Sequence, residues 1–246
     1  MNLYVGHKIF SLDSINKRVI NCRICPRLES YITNVGKIKT KRFKDQEYWA
    51  KPLPSFGDAN AKLLIIGLAP AAHGGNRTGR LFTGDSSGDW VAKALFETGF
   101  ANIPTSSSKD DGLVLKDVYI STAVRCAPPN NTPILSELFS CSQYLLSELI
   151  ILDRTIKVIL TLGRIAFQTY CRIKDLQRLN FGHNTCHDIG DGKFLLSSYH
   201  PSRQNTNTGK LTWQMWINIF RTARHLIYDT RLIPYYPNED KQIENA

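Results

Sequence analysis

The 246-residue sequence contains no uninterrupted run of about 18 apolar residues, the length that a membrane-spanning helix requires. Its beginning, MNLYVGHKIFSLDSINK, has neither a continuous apolar segment nor a small-residue cleavage site, so we expect no signal peptide. The sequence also lacks internal repeats and low-complexity segments. These absences argue against a membrane protein and favour a cytoplasmic one.

Acidic residues are comparatively few, 21 against 31 Lys and Arg, which gives a formal net charge of +10 and a pI near 9.4. This excess of positive charge favours a polyanionic partner, nucleic acid first, and a location at the nucleoid. With 42% hydrophobic and 10% aromatic residues, the chain is too apolar to be disordered. We therefore expect a globular nucleic-acid-binding protein.

Short apolar strands alternate with amphipathic helices, a pattern that predicts right-handed crossovers and a mostly parallel sheet with helices on both faces. The fold class is thus α/β, a three-layer α/β/α sandwich around a four-stranded sheet. The predicted strands are 62–69, 118–124, 155–162 and 193–200, and the predicted helices are 89–100, 134–152, 164–171 and 211–228. We expect one domain over residues 1–230 and a frayed tail over 231–246.

Three loops rich in Gly, Pro and Asn follow the carboxyl ends of these strands, where ligands bind in such folds. Their sequences are GLAPAAHGGNRTGRLFTGDSSGD (67–89), RCAPPNNTP (125–133) and SYHPSRQNTNTG (198–209). The first follows a strand as a P-loop does, but GxxxxGK[ST] is absent, which excludes a Walker-type nucleotide site.

The first loop can approach a ligand closely because of its glycines. Phe82 is suited to stacking on a planar ring, and Asp85 is either a helix cap or a catalytic carboxylate. Asp89 is the better cap candidate, which leaves Asp85 free for chemistry. In the second loop, Asn130 and Asn131 can present a donor and an acceptor to a base edge.

The third loop begins with His200, which alone could be a structural hydrogen-bonding residue. The short polar residues and one guanidinium that follow it suit contacts with phosphates. From the first and third loops together, the candidate DNA-binding residues are Asn76, Arg77, Arg80, Ser202, Arg203, Gln204 and Asn205. The segment 36–44, GKIKTKRFK, is either a solvated charged loop or a further phosphate contact.

Cys22 and Cys25 form a C-x-x-C motif followed directly by Pro26. Together with Cys126 and Cys141 they supply four thiolates, which suit tetrahedral zinc or an iron–sulfur cubane. In a reducing compartment, an even number of cysteines does not indicate disulfides.

A thioredoxin-like redox pair is the alternative for the C-x-x-C motif, although no strand of that type precedes it. Cys171 and Cys186 have no partner at short spacing. We expect both to be ordinary buried cysteines.

The motifs GLAPAAHGGNRTGRLFTGD, VRCAPPNNTP and SYHPSRQNTNTG, with C-x-x-C-P near the start, resemble those of the family 5 (type B) uracil-DNA glycosylases, in the same order. The resemblance runs from residue 22 to about residue 228. It implies the uracil-glycosylase α/β/α fold and a structural 4Fe-4S cluster held by Cys22, Cys25, Cys126 and Cys141. The cluster segment would lie at about residues 20–60.

The resemblance further implies removal of uracil, and of other deaminated bases such as hypoxanthine and xanthine, from double-stranded DNA. It maps the catalytic carboxylate onto Asp85, the middle-loop Asn onto Asn131 and the third-loop His onto His200. Two positions depart from the wider superfamily: Ala69 stands where many members have Asp or Glu, and Thr122 stands where related families have Asn.

The expected mechanism begins with flipping of the target base into a pocket. The residues expected to bind the base are Leu68, Ala69, His73, Gly74, Phe82, Asn131 and His200. His200 would donate to the base, and Asp85 would stabilise the sugar cation or orient water.

The only lysine at the three loops, Lys210, lies at the far edge of the third, so we expect a monofunctional hydrolase that leaves an abasic site. We also expect the protein to act as a monomer. The lack of a nearby lysine argues against a Schiff-base lyase step. The alternative is a non-catalytic DNA-binding protein stabilised by a metal.

Overall fold

Four short apolar strands form the centre of one sheet in the computed structural model, which describes residues 11–229. They are β2 (Leu63–Gly67), β3 (Val118–Thr122), β4 (Val158–Leu162) and β6 (Phe194–Ser198). They run parallel in the order β3-β2-β4-β6. The predicted tail, 231–246, and residues 1–10 lie outside the described residues.

Two further strands extend the sheet, which therefore has six strands where the sequence predicts four. β1 (Phe56–Gly57) and β5 (Thr185–Asp188) pair antiparallel with β3 and β6 at the two edges. Both escape sequence analysis for a physical reason: β1 has only two residues, and β5 is a partly exposed, polar TCHD segment without a continuous apolar run.

The helices cover both faces of the sheet. They are α1 (Leu12–Ile20), α2 (Pro26–Ile38), α3 (Gly75–Thr78), α4 (Ser86–Glu97), α5 (Leu135–Leu152), α6 (Arg164–Ile173), α7 (Arg203–Asn207) and α8 (Trp213–Tyr228). Two 3-10 turns occupy Lys41–Phe43 and Pro129–Asn131.

Alternate residues of the strands face separate helical layers, as the pleat requires. Leu63 and Ile65 of β2 pack in a cluster with α4 and α8. Leu64 and Ile66 pack on the opposite face with α1, α5 and α6. All four side chains are fully buried. The predicted three-layer α/β/α architecture is confirmed.

Helix α4 begins earlier than the predicted start at residue 89. Asp85 is its N-cap and accepts a hydrogen bond from the backbone N–H of Gly88 at 2.9 Å. The expectation that Asp89 caps this helix was wrong: Asp89 lies in the first turn. Both residues precede helix-compatible sequence, so spacing alone does not separate them.

Among residues 11–229, one helix, α5, is long and apolar enough by its length and mean hydropathy to cross a membrane. Eight of its residues are buried, among them Glu137 and Glu148. Its Leu145, Leu149 and Leu152 pack with β2, β4 and α6 in the protein core, whereas Leu135, Phe139, Leu146 and Ile150 are exposed. In this structure α5 therefore packs one face against the core.

A buried ion pair connects α5 to the loop after β3. Arg125 donates to Glu148 Oε2 at 2.6 Å, and both side chains are almost completely buried. Ser121 donates to the same carboxylate oxygen at 2.7 Å, and Arg125 also donates to Ser55. The carbonyl of Arg125 accepts the N–H of Leu53 at 2.7 Å, so this network holds the chain before β1 against the sheet.

We expect Glu148→Gln to lower the free energy of unfolding by about 3–5 kcal/mol, because the buried guanidinium of Arg125 loses its countercharge. Urea unfolding measures the change. The matched control is Glu97→Gln in the exposed Lys93–Glu97 pair, where we expect less than about 0.5 kcal/mol. Equal losses in the two variants would contradict the importance assigned to the buried pair.

Candidate active site

The loop after β2 lies where the strand order reverses, since β2 pairs with β3 on one side and β4 on the other. Ligands of open α/β sheets bind outside the carboxyl ends of the strands at such a point. The carbonyls of Gly67 and Leu68 accept the N–H groups of Ala123 and Val124 at 2.9 Å, so the first two loops start side by side.

Phe82 and His200 come together from the first and third loops. Their ring centroids are 6.2 Å apart, and their planes differ by 29°. Phe82 lies directly over the α-carbon of Gly67, where an added Cβ would be only 2.7 Å from the ring. The backbone of Phe82 has φ +48°, a conformation that L-residues rarely adopt. The ring is thus held firmly at the end of β2.

Asp85 is positioned by two backbone contacts. Its Oδ1 accepts the N–H of Gly88 at 2.9 Å, and its other oxygen, Oδ2, lies against Gly74. A Cβ on Gly74 would stand 1.9 Å from that oxygen, so only glycine allows this approach. Burial raises the pKa of Asp85, although hydrogen bonds from the Gly88 and Ser87 amides oppose the shift. The cap role and a chemical role are therefore compatible in one side chain.

His200 is held in the third loop, two residues after the end of β6. Its carbonyl accepts the side-chain amide of Asn205 at 2.8 Å, and Gly163 lies opposite its Cβ. Burial lowers the pKa of its imidazole to about 4. The side chain is therefore neutral at pH 7, with one ring nitrogen able to donate and the other to accept.

His73 is fixed by a residue that sequence analysis missed. The Tyr48 hydroxyl lies 3.0 Å from His73 Nδ1, and their rings meet edge to face. Burial, followed by the charge of Arg77, lowers the pKa of His73. A neutral His73 that accepts from Tyr48 at Nδ1 carries its proton on Nε2. No local signal in the sequence connects Tyr48 with a histidine 25 positions away.

Two predicted DNA-binding residues are interior residues instead. Asn76 is fully buried and donates to the carbonyls of Ile32 and Ala72. Arg80 is buried, and its Nη2 donates to both carboxylate oxygens of Asp111, at 2.7 and 2.9 Å. Their polarity serves the structure of the loop, so the prediction that they contact DNA was wrong.

Arg77, also predicted to bind DNA, uses its guanidinium within the protein. It donates to the carbonyls of His73 and Gly84 at 2.8 and 2.9 Å and to the side chain of Gln46 at 2.7 Å. Its guanidinium also lies 4.0 Å from the centre of the Phe43 ring. This residue braces the first loop.

The predicted residues of the third loop are more accessible. Arg203 and Gln204 are exposed at the start of α7, and Ser202 is its N-cap, accepting the N–H of Asn205. Arg203 Nε donates to Ser86 Oγ at 3.3 Å, beside Asp85. The third loop therefore lies next to the first, and its Arg203 and Gln204 can reach a ligand.

The remaining base-binding candidates, Leu68, Ala69 and Asn131, differ in their surroundings. Leu68 is half-buried directly after β2, whereas Ala69 packs against the apolar cluster that surrounds the cysteines. Asn131 is exposed on a 3-10 turn, with φ +53°. The second loop thus begins beside the first, with Asn131 exposed at its turn, whereas the ring contact of Phe82 with His200 brings the first and third loops together.

The four predicted metal-binding cysteines surround one apolar cluster. Cys141 is buried in it, and Cys22, Cys25 and Cys126 pack against it. Burial and then the neighbouring Cys141, Cys22 and Cys25 thiols raise the pKa of Cys126, and burial raises the pKa of Cys141 to about 11. No group of three or more His, Cys, Asp or Glu side chains in residues 11–229 is arranged to hold a metal ion.

The elements that carry these cysteines are joined by an ion pair. Arg27, just after the C-x-x-C turn, makes a bidentate contact with Glu137 of α5, with both N–O distances 2.8 Å. The N–H of Arg125 donates to Cys141 Sγ at 3.3 Å. The C-x-x-C turn is thereby held against the start of α5.

A family model described as the uracil DNA glycosylase superfamily matches residues 54–224. A type-5 uracil-DNA glycosylase of Mycobacterium bovis is 43% identical over 219 residues, covering 88% of this chain and 82% of its own. The type-5 uracil-DNA glycosylase of Thermus thermophilus is 44% identical over 207 residues, covering 83% and 93%. The chain belongs to the type-5 uracil-DNA glycosylases.

The resemblance found in the loop motifs is thus confirmed. A further type-5 uracil-DNA glycosylase, of Pyrobaculum aerophilum, is 42% identical over 211 residues, covering 86% of this chain and 91% of its own. A type-4 uracil-DNA glycosylase of Thermotoga maritima is 27% identical over 192 residues. The greater similarity to the type-5 relatives agrees with the type that the motifs indicated.

We expect the imidazole of His200 in this type-5 glycosylase to show no titration between about pH 8 and about pH 5, because burial moves its pKa to about 4. NMR of imidazole-labelled protein measures this, with His200→Gln identifying the signal. A midpoint near the ordinary histidine value of about 6.5 would contradict the buried, neutral state.

Proposed function

We propose that the protein removes uracil from DNA by hydrolysis of the N-glycosyl bond. The observation that carries the proposal is the placement of a partly buried carboxylate, Asp85, in the same loop as an aromatic ring that lies beside a neutral histidine. The type-5 relatives support the substrate. The +10 net charge supports a DNA partner, and we propose that the protein acts as a monomer at the nucleoid.

The base would be recognised after flipping out of the duplex, since its glycosidic bond cannot be reached inside the stack. A base stacked on Phe82 lies parallel to that ring and hence within about 29° of the His200 plane. An imidazole N–H lies in its own ring plane, so this arrangement favours a hydrogen bond from His200 to a carbonyl at the base edge. Such stacking is worth roughly 1–3 kcal/mol and tolerates different bases.

Bond cleavage leaves positive charge on the sugar and negative charge on the base. A neutral His200 donates to the base oxygen where charge develops, and a preorganised donor of this kind contributes about 3–4 kcal/mol. Asp85, as a carboxylate, stabilises the sugar cation or accepts a proton from the attacking water. Its contact with Gly74 and its bond to Gly88 fix its orientation before the substrate arrives.

We expect Asp85→Asn to lower the single-turnover rate of uracil excision by about 10²- to 10⁴-fold while DNA binding is retained. Asparagine also caps helices, so α4 keeps its N-terminus. In the wild type, burial raises the pKa of Asp85, so the rate should begin to fall at a higher pH than an ordinary aspartate would cause, and the variant should lose this acidic limb.

The matched control for this experiment is Asp89→Asn in the first turn of the same helix, which should keep both rate and binding. If Asp85→Asn weakens binding as much as it slows excision, the catalytic role is refuted. If the wild-type protein binds uracil-containing DNA without excising the base, the non-catalytic DNA-binding alternative holds.

We further propose that hypoxanthine and xanthine are substrates. Thr122, at the position where related families read uracil with Asn, is buried and donates its hydroxyl to the carbonyl of Val124 at 2.9 Å. Its side chain is therefore not available to select pyrimidines. The protein also acts without a lyase step, because Lys210, at the far edge of the third loop, lies with its ammonium over the Tyr199 ring.

We expect excision from duplexes that carry uracil, hypoxanthine or xanthine, and no covalent adduct on borohydride treatment, which traps a Schiff base. Alkali treatment of single-turnover reactions followed by gel electrophoresis measures base excision. Gel electrophoresis of the borohydride-treated reactions measures the covalent adduct between protein and DNA. Excision of uracil alone would contradict the proposed base range. A trapped adduct would contradict the monofunctional mechanism.

We propose that Cys22, Cys25, Cys126 and Cys141 hold a 4Fe-4S cluster. Cys141 lies within one apolar cluster and the other three cysteines pack against it, so the four thiols are near one another. Four thiolates suit a 4Fe-4S cubane as ligands, and the resemblance to the family favours the cubane over zinc. When bound, the cluster supplies a covalent tie between the C-x-x-C turn, the loop after β3 and α5, and it takes no part in the hydrolysis.

We expect anaerobically purified protein to contain about four irons per chain and to absorb near about 400 nm. Cys126→Ser should lose both signals, since serine does not replace the thiolate well, and Cys171→Ser, outside the group, should keep them. Stoichiometric zinc in a colourless protein would contradict the cluster.

A further inference from the structure

The basic segment, residues 36–44, lies beside the loop that carries Asp85. Phe43 packs against the Arg77 guanidinium, at 4.0 Å from the ring centre. Arg77 also donates to Gln46, just after the segment, and to the carbonyl of Gly84, just before Asp85. One side chain therefore connects the basic segment directly to the candidate active site.

The cations of this segment face solvent. Lys37, Lys41, Arg42 and Lys44 are exposed, and none of them forms an ion pair with a described residue within 4.0 Å. Lys39 instead turns its ammonium toward the carbonyl of Lys44 at 3.4 Å, which folds the segment on itself. Three basic residues in four positions, at 41, 42 and 44, thus remain available to phosphates.

The chain neighbours of Asp85 contact both regions: Gly84, before it, is bonded to Arg77, on which the basic segment packs, and Ser86 and Ser87, after it, are bonded to the third loop. On the third-loop side, Ser86 accepts a hydrogen bond from Arg203, and Ser87 donates to the carbonyl of Pro201 at 3.0 Å. A duplex whose nucleotide is extruded toward Asp85 extends away from it in two directions. The basic segment can contact the duplex in one direction, and the third loop with Arg203 can contact it in the other.

We infer that residues 36–44 form a second phosphate-binding surface, which contacts the backbone of the same duplex on the flank opposite the third loop. The inference rests on the proposed function for its partner, DNA. Neutralising phosphates releases counterions, so each contact adds about 0.9 to the slope of log K against log salt concentration. Arg77, expected from the sequence to touch phosphate, instead holds this surface in place.

The test combines Lys41→Gln, Arg42→Gln and Lys44→Gln in the full-length protein. Its control combines Lys116→Gln, Arg154→Gln and Lys174→Gln, which remove the same charge from exposed positions. Lys116 precedes β3, Arg154 precedes β4, and Lys174 follows α6, which runs back from the carboxyl ends of the strands, so these control positions lie at the amino ends of the strands, away from the candidate active site.

Affinity for a uracil-free duplex is measured at several salt concentrations. We expect the magnitude of the slope of log K against log salt concentration to decrease by roughly 2–3 in the variant of residues 41, 42 and 44, and to stay unchanged in the control variant. Equal slopes in the two variants would overturn the inference. Because binding is read without excision, a protein that excises no base but shows this difference would refute the proposed function and leave the DNA surface standing.

Two further measurements locate the contact. The variant of residues 41, 42 and 44 is compared with the wild type on two duplexes, each of which extends on only one side of the uracil. The variant should bind one of these duplexes more weakly than the wild type does and the other equally well; equal losses of affinity on both duplexes would overturn the inference. Phe43→Ala keeps every charge and removes the ring that packs on Arg77, so it should weaken binding without altering net charge. Wild-type affinity in this variant would also overturn it.

Discussion

The close approach of the Asp85 carboxylate to Gly74 determines where the acid lies in the loop after β2. It brings the start of that loop against its end, since Asp85 also caps α4 through Gly88. Phe82 lies between these two points and is directed over Gly67 toward His200. A side chain at position 74 would displace the carboxylate, so the orientation of the acid depends on glycine there, and the position of the Phe82 ring depends on glycine at position 67.

The interior arginines explain how so basic a protein builds its binding face. Arg77, Arg80 and Arg125 each make several hydrogen bonds with carbonyls, hydroxyls or carboxylates inside the protein. A planar guanidinium with five donors suits such bracing, whereas a lysine ammonium is a compact and strongly hydrated charge. The interior arginines keep the loops rigid. The exposed positive charge beside the site is supplied to a large extent by lysines, which attract phosphate to the surface.

Much of the fold follows from local sequence patterns. The four central strands are continuous apolar runs, and the loops after them contain the turn-forming residues that mark strand ends, so their positions could be predicted within a few residues. The sequence did not allow us to predict whether Asp85 or Asp89 caps α4, because both residues precede sequence that could begin a helix. The pairings of Tyr48 with His73 and of Arg80 with Asp111 also had no signal, since they depend on segments that meet only in the folded chain.

Phe82 carries a consequence for the evolution of this site. Its left-handed backbone conformation costs a non-glycine residue roughly 1–3 kcal/mol, which the surrounding contacts must offset. Glycine would relieve that strain but would remove the ring beside His200. Glycine at this position would favour the stability of the fold, whereas phenylalanine would favour the proposed stacking of a base, so a more stable variant that keeps the ring has to be sought among the residues that pack around it.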